Sequence, residues 1–122
     1  MESFCTALFA LGAAFFIAHS MDAVNKQEWR ILGLSRLNES GARASFIIGH
    51  IILFVVLIYF VLTLSGAFLF IINILLIAHA IAHYFLRNSY ENQFQSLFSN
   101  ILIYSAAFTA IWHTVFWAIH LA

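Results

Sequence analysis

Histidine is the residue type with the clearest chemical potential in this sequence. The chain has 122 residues and six histidines: His19, His50, His79, His83, His113 and His120. His79 and His83 are four residues apart, so on a helix their imidazoles share one face. Asp22 follows His19 by three residues and shares a face with it in the same way. A His-x-x-x-His pair can hold one transition metal, and a third histidine with a carboxylate from other helices would complete the coordination.

Four apolar runs must position these residues. They cover residues 4–21, 45–64, 67–86 and 97–121, each close to the ~20 residues that cross a hydrocarbon layer of about 30 Å. The chain is 64% hydrophobic and only 8% charged, whereas soluble domains carry about 25% charged residues. We therefore predict an all-α integral membrane four-helix bundle, with residues 1–122 forming a single transmembrane domain.

Several classes of protein are disfavoured by the composition. The first apolar run is preceded by Met1, Glu2 and Ser3 without a basic residue, so we interpret it as a retained helix rather than a signal peptide. Cys5 is the only cysteine, which excludes an intramolecular disulfide and a thiolate metal cage. The formal net charge of zero argues against a nucleic-acid partner, because such proteins carry basic surfaces.

The basic residues predict the orientation of the helices. All five lie either between the first two helices or directly after the third: Lys26, Arg30, Arg36, Arg43 and Arg87. Because Lys and Arg in short loops favour the cytoplasmic side, loops 22–44 and 87–96 are predicted to be cytoplasmic and both termini non-cytoplasmic. We expect a multi-pass protein of a bacterial inner membrane.

With this orientation, one group of histidines falls at a common depth. His19 is late in the first helix, His50 is early in the second, and His79 and His83 are late in the third, so all four lie in the cytoplasmic half. Ionisable side chains at membrane depth are costly and usually face the bundle interior. We predict a zinc or iron site with these candidate ligands: His19, Asp22, His50, His79 and His83.

Within that set the individual roles differ. His50, His79 and His83 are the favoured ligands, with either His19 or Asp22 as the fourth, and Glu28 is a further donor if its loop folds back. If Asp22 is not a ligand, it would orient a histidine or act as the catalytic base on a metal-bound water. Whether the site is catalytic or structural stays open.

The remaining polar residues predict local structure. The first helix either continues beyond residue 21 or restarts as an interfacial helix, with Trp29 and Arg30 suited to the headgroup layer. A break is expected at residues 38–41, a tight turn at residues 65–66, and turn or cap residues at 88–92. In the last helix Ser105, Thr109 and His113 recur every four residues, so this polar stripe is predicted to face the bundle and serve helix packing.

Three short motifs carry a resemblance to known proteins. They are His19-Ser-Met-Asp22, Glu28-Trp29-Arg30 and His79-Ala-Ile-Ala-His83. Together they resemble the H-x-x-D/E, E-W and H-x-x-x-H layout of uncharacterised small bacterial four-helix membrane proteins. This resemblance implies no established activity.

A more distant resemblance concerns the ligands alone. The histidines and aspartate are similar to the ligand pattern of the adiponectin-receptor and alkaline-ceramidase superfamily. That likeness implies an intramembrane zinc on His50, Asp22, His79 and His83.

These observations favour a metal-binding membrane protein, such as a small metal-dependent hydrolase or oxidoreductase acting on a lipid-phase substrate. One alternative is a b-type cytochrome with a single haem between His50 and His83, in which Gly49 gives the macrocycle room. Another is an accessory or assembly subunit without a cofactor. The expected partners are the lipid bilayer and either further copies of the chain or a larger membrane complex.

Overall fold

Four α-helices form most of the part of the chain that the structure describes. The computed structural model describes residues 2–32, 34, 38–63, 66–88 and 96–121. The helices are α1 (Glu2–Asn25), α2 (Glu39–Thr63), α3 (Gly66–Leu86) and α4 (Leu97–Leu121), and a short 3-10 helix, η1 (Glu28–Arg30), follows α1. All four α-helices are long and apolar enough to cross a membrane. The predicted all-α fold with four helices is confirmed, and it is consistent with a multi-pass membrane protein.

Two helices are longer than the apolar runs that predicted them. The first continues to Asn25 rather than residue 21, and α2 begins at Glu39 rather than residue 45. Asn38 caps α2, because its Oδ1 accepts hydrogen bonds from the backbone N–H of Gly41 at 2.7 Å and from the hydroxyl of Ser40 at 3.0 Å. Ser65 and residues 89–92, predicted as turn or cap residues, lie outside the described residues.

The helices pack unequally. Contacts of α4 with α1 and α3 dominate, whereas α2 packs less extensively on its neighbours. The first and last helices are antiparallel: the Phe4 and Phe116 rings meet at one end with centroids 5.2 Å apart, and Asp22 reaches Ser99 at the other. Helices α1 and α3 both finish at the same end of the bundle, which we call the loop end.

Small residues allow α1 and α4 to approach closely. A Cβ placed on Gly12 would lie 2.8 Å from Oγ1 of Thr109, so a larger residue at position 12 would require the neighbouring side chain to move. Several alanines of α4 are buried, as expected where helices associate through small residues in lipid. Thr109 and His113 are also buried, so these two residues of the predicted polar stripe face the bundle, whereas Ser105 is only partly buried.

The interior has two apolar layers, one near the loop end and one near the middle. The layer near the loop end contains Ala23, Trp29, Ala42, Phe46, Ala80, Ile103 and Ala107. The central layer contains Phe9, Leu57, Ile72, Leu76, Ala106 and Ala110. Phe16, which packs against the central layer, contacts the ring of His79 edge-on, with centroids 5.9 Å apart.

Candidate metal centre

A reversal of the chain after α1 carries Glu28 into the bundle. Gln27 has a φ of 56° and a ψ of 43°, the left-handed conformation, and it is the one non-glycine residue with positive φ in the described part of the chain. Residues 28–30 then form η1, in which the backbone N–H of Ile31 donates to the carbonyl of Glu28 at 3.0 Å. Glu28 is only 5% exposed as a result.

The same reversal turns Trp29 inward. Its ring packs against Phe46 with centroids 5.8 Å apart, and the side chain is buried. The headgroup position predicted for Trp29 is therefore wrong, because the turn at Gln27 directs this residue to the core. Arg30 is at the surface, where its guanidinium donates to a carboxylate oxygen of Glu39 at 3.1 Å and links η1 to the start of α2.

Three histidines and one glutamate converge beneath η1. They are His19 of α1, Glu28 of η1, and His79 and His83 of α3, and the four atoms that they offer as ligands all lie within 4.8 Å of one another. Nε2 of His19 lies 2.8 Å from Nε2 of His79. Nε2–H of His83 donates to Oε1 of Glu28 at 3.2 Å, and Oε2 of Glu28 is 3.6 Å from Nε2 of His19.

These separations suit donors around one small ion. Ligand atoms about 2.0–2.1 Å from a tetrahedral zinc are separated from each other by about 3.3 Å, and the three measured separations straddle that value. The imidazoles also contact each other face to edge or at a tilt: the ring centroids of His79 are 4.9 Å from His19 and 4.6 Å from His83. The four donor atoms lie within 4.8 Å of one another, so these side chains form a group that could hold one metal ion.

The electrostatics of the group are set by Glu28. Burial by itself raises the pKa of this carboxyl, but the hydrogen bond from His83 and the charges of the neighbouring histidines lower it by more, so the pKa of Glu28 lies below its ordinary value. Glu28 therefore stays a carboxylate. A buried carboxylate requires a positive partner, and among the described residues Oε2 of Glu28 accepts no hydrogen bond.

Two of the predicted ligands lie outside this group. The Nδ1–H of His50 donates to the carbonyl of Phe46 in its own helix at 2.9 Å, and its ring lies against Phe46 with centroids 4.2 Å apart. Oδ2 of Asp22 accepts a hydrogen bond of 2.5 Å from the hydroxyl of Ser99 in α4. Ser99 in turn contacts Ser96, whose hydroxyl caps α4 by accepting the backbone N–H of Ser99 at 3.1 Å. The structure thus brings together His19, His79 and His83, and adds Glu28.

A second buried polar group, whose pairing the sequence does not predict, lies farther from the loop end. Asn73 of α3 lies 2.7 Å from Nδ1 of His113 through its amide nitrogen, and it donates to Oγ1 of Thr114 at 2.9 Å. Asn73 and His113 are both buried. The sequence offered two signals for this group, a lone asparagine within the third apolar run and the polar stripe of α4 that includes His113, but not their pairing. The side chain of His120 lies outside the described residues.

Four membrane-compatible helices around a buried histidine and glutamate cluster are the features of a small helical membrane protein. The chain belongs to the family described as "Family of unknown function (DUF6713)", whose profile matches residues 5–120. Neither a curated protein nor a solved structure matches the chain significantly. Membership of this family agrees with the predicted resemblance to uncharacterised small proteins, whereas no comparison supports the likeness to adiponectin receptors and alkaline ceramidases.

Proposed function

We propose that this protein is a membrane metalloprotein that binds one zinc or iron ion through His19, Glu28, His79 and His83. The observation that carries the proposal is the convergence of four ligand atoms from three separate segments of the chain within 4.8 Å. Imidazole and carboxylate ligands suit both metals, and three nitrogens with one oxygen suit a tetrahedral ion. A dication would also balance the buried charge of Glu28.

The geometry favours a single ion over haem. Three of the imidazoles are already in mutual contact, so a macrocycle would have to separate them. A Cβ built on Gly49 would meet no heavy atom within 4 Å, so the space beside this glycine is not a cleft within the packed bundle.

The orientation of the site in the membrane is part of the proposal. The basic residues near the loop end support a cytoplasmic location for that end. His83 and His79 precede the end of α3 at Leu86 by three and seven residues, which corresponds to roughly 5 and 10 Å at about 1.5 Å per residue. The metal would then lie shallowly within the cytoplasmic leaflet, where reporter fusions to the two termini would test the predicted orientation.

We extend the proposal to activity on a lipid-phase molecule. A metal in this position is reached through the surrounding bilayer, and it supplies Lewis-acid chemistry if it is zinc or redox chemistry if it is iron. A hydrolase and an oxidoreductase are the corresponding classes of enzyme. Asp22, bonded to Ser99, is not needed as a ligand in this scheme and serves to join α1 to α4.

Elemental analysis of the purified protein tests the proposed site. The protein is expressed with an affinity tag that lacks histidine, extracted in mild detergent without chelator, and analysed for zinc, iron and manganese. We expect near-stoichiometric metal in the natural protein and loss of most of it in His19→Ala, His79→Ala and His83→Ala.

His50→Ala is the matched control, because it removes a histidine of the same half of the bundle that lies outside the cluster. It should retain the metal. A folded natural protein that stays free of metal after incubation with zinc or iron(II) would overturn the proposal. It would instead favour an accessory subunit in which these histidines join helices by hydrogen bonds.

A further inference from the structure

An apolar cavity adjoins the histidine cluster on the side toward the middle of the bundle. It has a volume of about 230 Å³ and lies between α1, α2 and α3. Its walls include Phe16, Leu53, Leu57, Ile72, Leu76 and His79. Every one of these side chains is a hydrocarbon except the imidazole of His79.

His79 belongs to the cavity and to the candidate metal centre at once. Its Nε2 faces Nε2 of His19 at 2.8 Å, while its ring contacts Phe16 edge-on with centroids 5.9 Å apart. From His79 the cavity follows α3 back to Ile72, a rise of roughly 10 Å at about 1.5 Å per residue. The cavity therefore runs from the cluster, near the loop end, toward the centre of the membrane.

Hydrocarbon is a better occupant of this space than water. A buried water needs two to four polar partners, and an apolar cavity of about 150 Å³ engineered in another protein stays dry and binds benzene. The cavity described here is larger and offers one polar side chain. Its outer wall is formed by helices that span the membrane, and Leu75, which also lines it, is 53% exposed on the surface that lipid would cover.

The direction of the cavity indicates which kind of molecule could occupy it. A lipid of the leaflet at the loop end has its polar group near that end and its chains pointing to the bilayer centre. The cavity has the same polarity, with the histidines at one end and hydrocarbon side chains along the rest. An aliphatic chain could thus enter between α2 and α3 without inverting the lipid.

We propose that this cavity binds one aliphatic chain of a membrane lipid and thereby holds the polar group of that lipid beside His79. The inference rests on the proposed function, because the metal at the cluster is what would act on the polar group. It adds the substrate class: a lipid whose reactive group directly adjoins an unbranched hydrocarbon chain.

Photolabelling tests the proposal. The full-length protein is reconstituted in bilayers that contain a phospholipid with a diazirine in the middle of one acyl chain, irradiated, and mapped by mass spectrometry. Leu57 and Leu76 are 5% and 6% exposed, so bulk lipid does not reach them and labelling there reports a chain inside the cavity. Labelling at Ile52, which is 60% exposed, serves as the internal standard for bulk lipid.

A pair of neighbouring substitutions supplies the control. Leu75→Trp places a bulky ring at the mouth of the cavity and should remove most of the labelling at Leu57 and Leu76. Ile74→Trp makes a similar change at the adjacent position, which is 49% exposed and does not line the cavity, and labelling should persist. Both variants should keep their metal, which shows that they fold.

The outcomes of this experiment distinguish failure of the chain-binding cavity from failure of the proposed metal site. Labelling at Ile52 with none at Leu57 or Leu76 would overturn the chain-binding cavity, whatever the metal content. Equal labelling of the cavity in both tryptophan variants would overturn it as well. Labelled cavity residues in a protein that binds no metal would sustain the lipid site and overturn the proposed function.

Discussion

Oε1 of Glu28 and Nε2 of His83 lie 3.2 Å apart, although 55 positions separate the two residues in the chain. One belongs to a 3-10 turn after α1 and the other to the last turn of α3. Their contact closes the histidine cluster from the loop end. The cluster therefore depends both on the packing of α1 and α3 against α4 and on the conformation of the short segment after α1.

The charge of Glu28 should be essential for metal affinity. Glu28→Gln keeps the size of the side chain and an oxygen that can accept from His83, but it removes the negative charge and the second carboxylate oxygen. We expect metal affinity to fall by at least about tenfold, the lower bound for loss of a group that supports a metal site. Competition with a chromophoric chelator measures this change, and unaltered affinity would exclude Glu28 as a ligand.

The left-handed conformation of Gln27 should control whether Glu28 reaches the cluster. This conformation costs a residue other than glycine roughly 1–2 kcal/mol. Gln27→Gly should therefore preserve metal binding and leave stability equal or slightly higher, since it removes strain but adds freedom to the unfolded chain. Gln27→Val should lose metal, because β-branched residues disfavour positive φ.

Metal content and the temperature of thermal unfolding in detergent are measured for both Gln27 variants. The comparison isolates backbone conformation, since the side chain of Gln27 is not itself a proposed ligand. Equal metal content in the glycine and valine variants would show that the turn does not position Glu28.

Asp22 and Ser99 should act as a structural pair. Ser99 is fully buried and donates to Asp22 at 2.5 Å, a bond to a charged group of the kind that contributes about 1.5–3 kcal/mol. Asp22→Ala and Ser99→Ala should each lower stability, and the double variant should cost less than the sum of the two. A double-mutant cycle in denaturant gives the coupling.

Metal content separates the two roles considered for Asp22. All variants of the pair that remain folded should keep their metal. Loss of metal in Asp22→Ala but not in Ser99→Ala would show that Asp22 is a metal ligand.

Removal of the metal should loosen the loop end of the bundle. An ion that binds only the folded state adds about 2.7 kcal/mol of stability at a free concentration one hundred times its Kd. The protein treated with chelator should thus unfold at a lower temperature, and added zinc or iron(II) should restore the original value. The His83→Ala variant is the control, in which chelator should change nothing.

The sequence predicted the number of helices and their apolar spans better than the residues at which they begin and end. Hydropathy identified the four spans because lipid requires long apolar segments. It shows which residues suit the membrane interior, but not where each helix begins and ends. It could not show that α1 continues through polar residues to Asn25, or that the cap at Asn38 starts α2 before the apolar run.

The candidate site was predicted in part for a related reason. Spacing and depth grouped His19, His79 and His83, but they placed His50 and Asp22 in the same set, and neither belongs to the cluster. The membership of Glu28 depends on one left-handed residue, Gln27, which no periodicity reveals. In a helix that is apolar on all sides, periodicity also does not show which face is turned inward, so the direction of His50 and the pairing of Asn73 with His113 required coordinates.

The distance along the chain between the members of the cluster has a consequence for biosynthesis. His19 and Glu28 leave the ribosome well before His79, which lies 60 residues after His19. A carboxylate without a partner is costly in hydrocarbon, so the segment that carries Glu28 stays in water while only the first helical hairpin has been inserted. It can turn into the bundle once the third helix has arrived with His83. Under the proposed function, capture of the metal would then be the last step of maturation, and it would mark a chain whose insertion is complete.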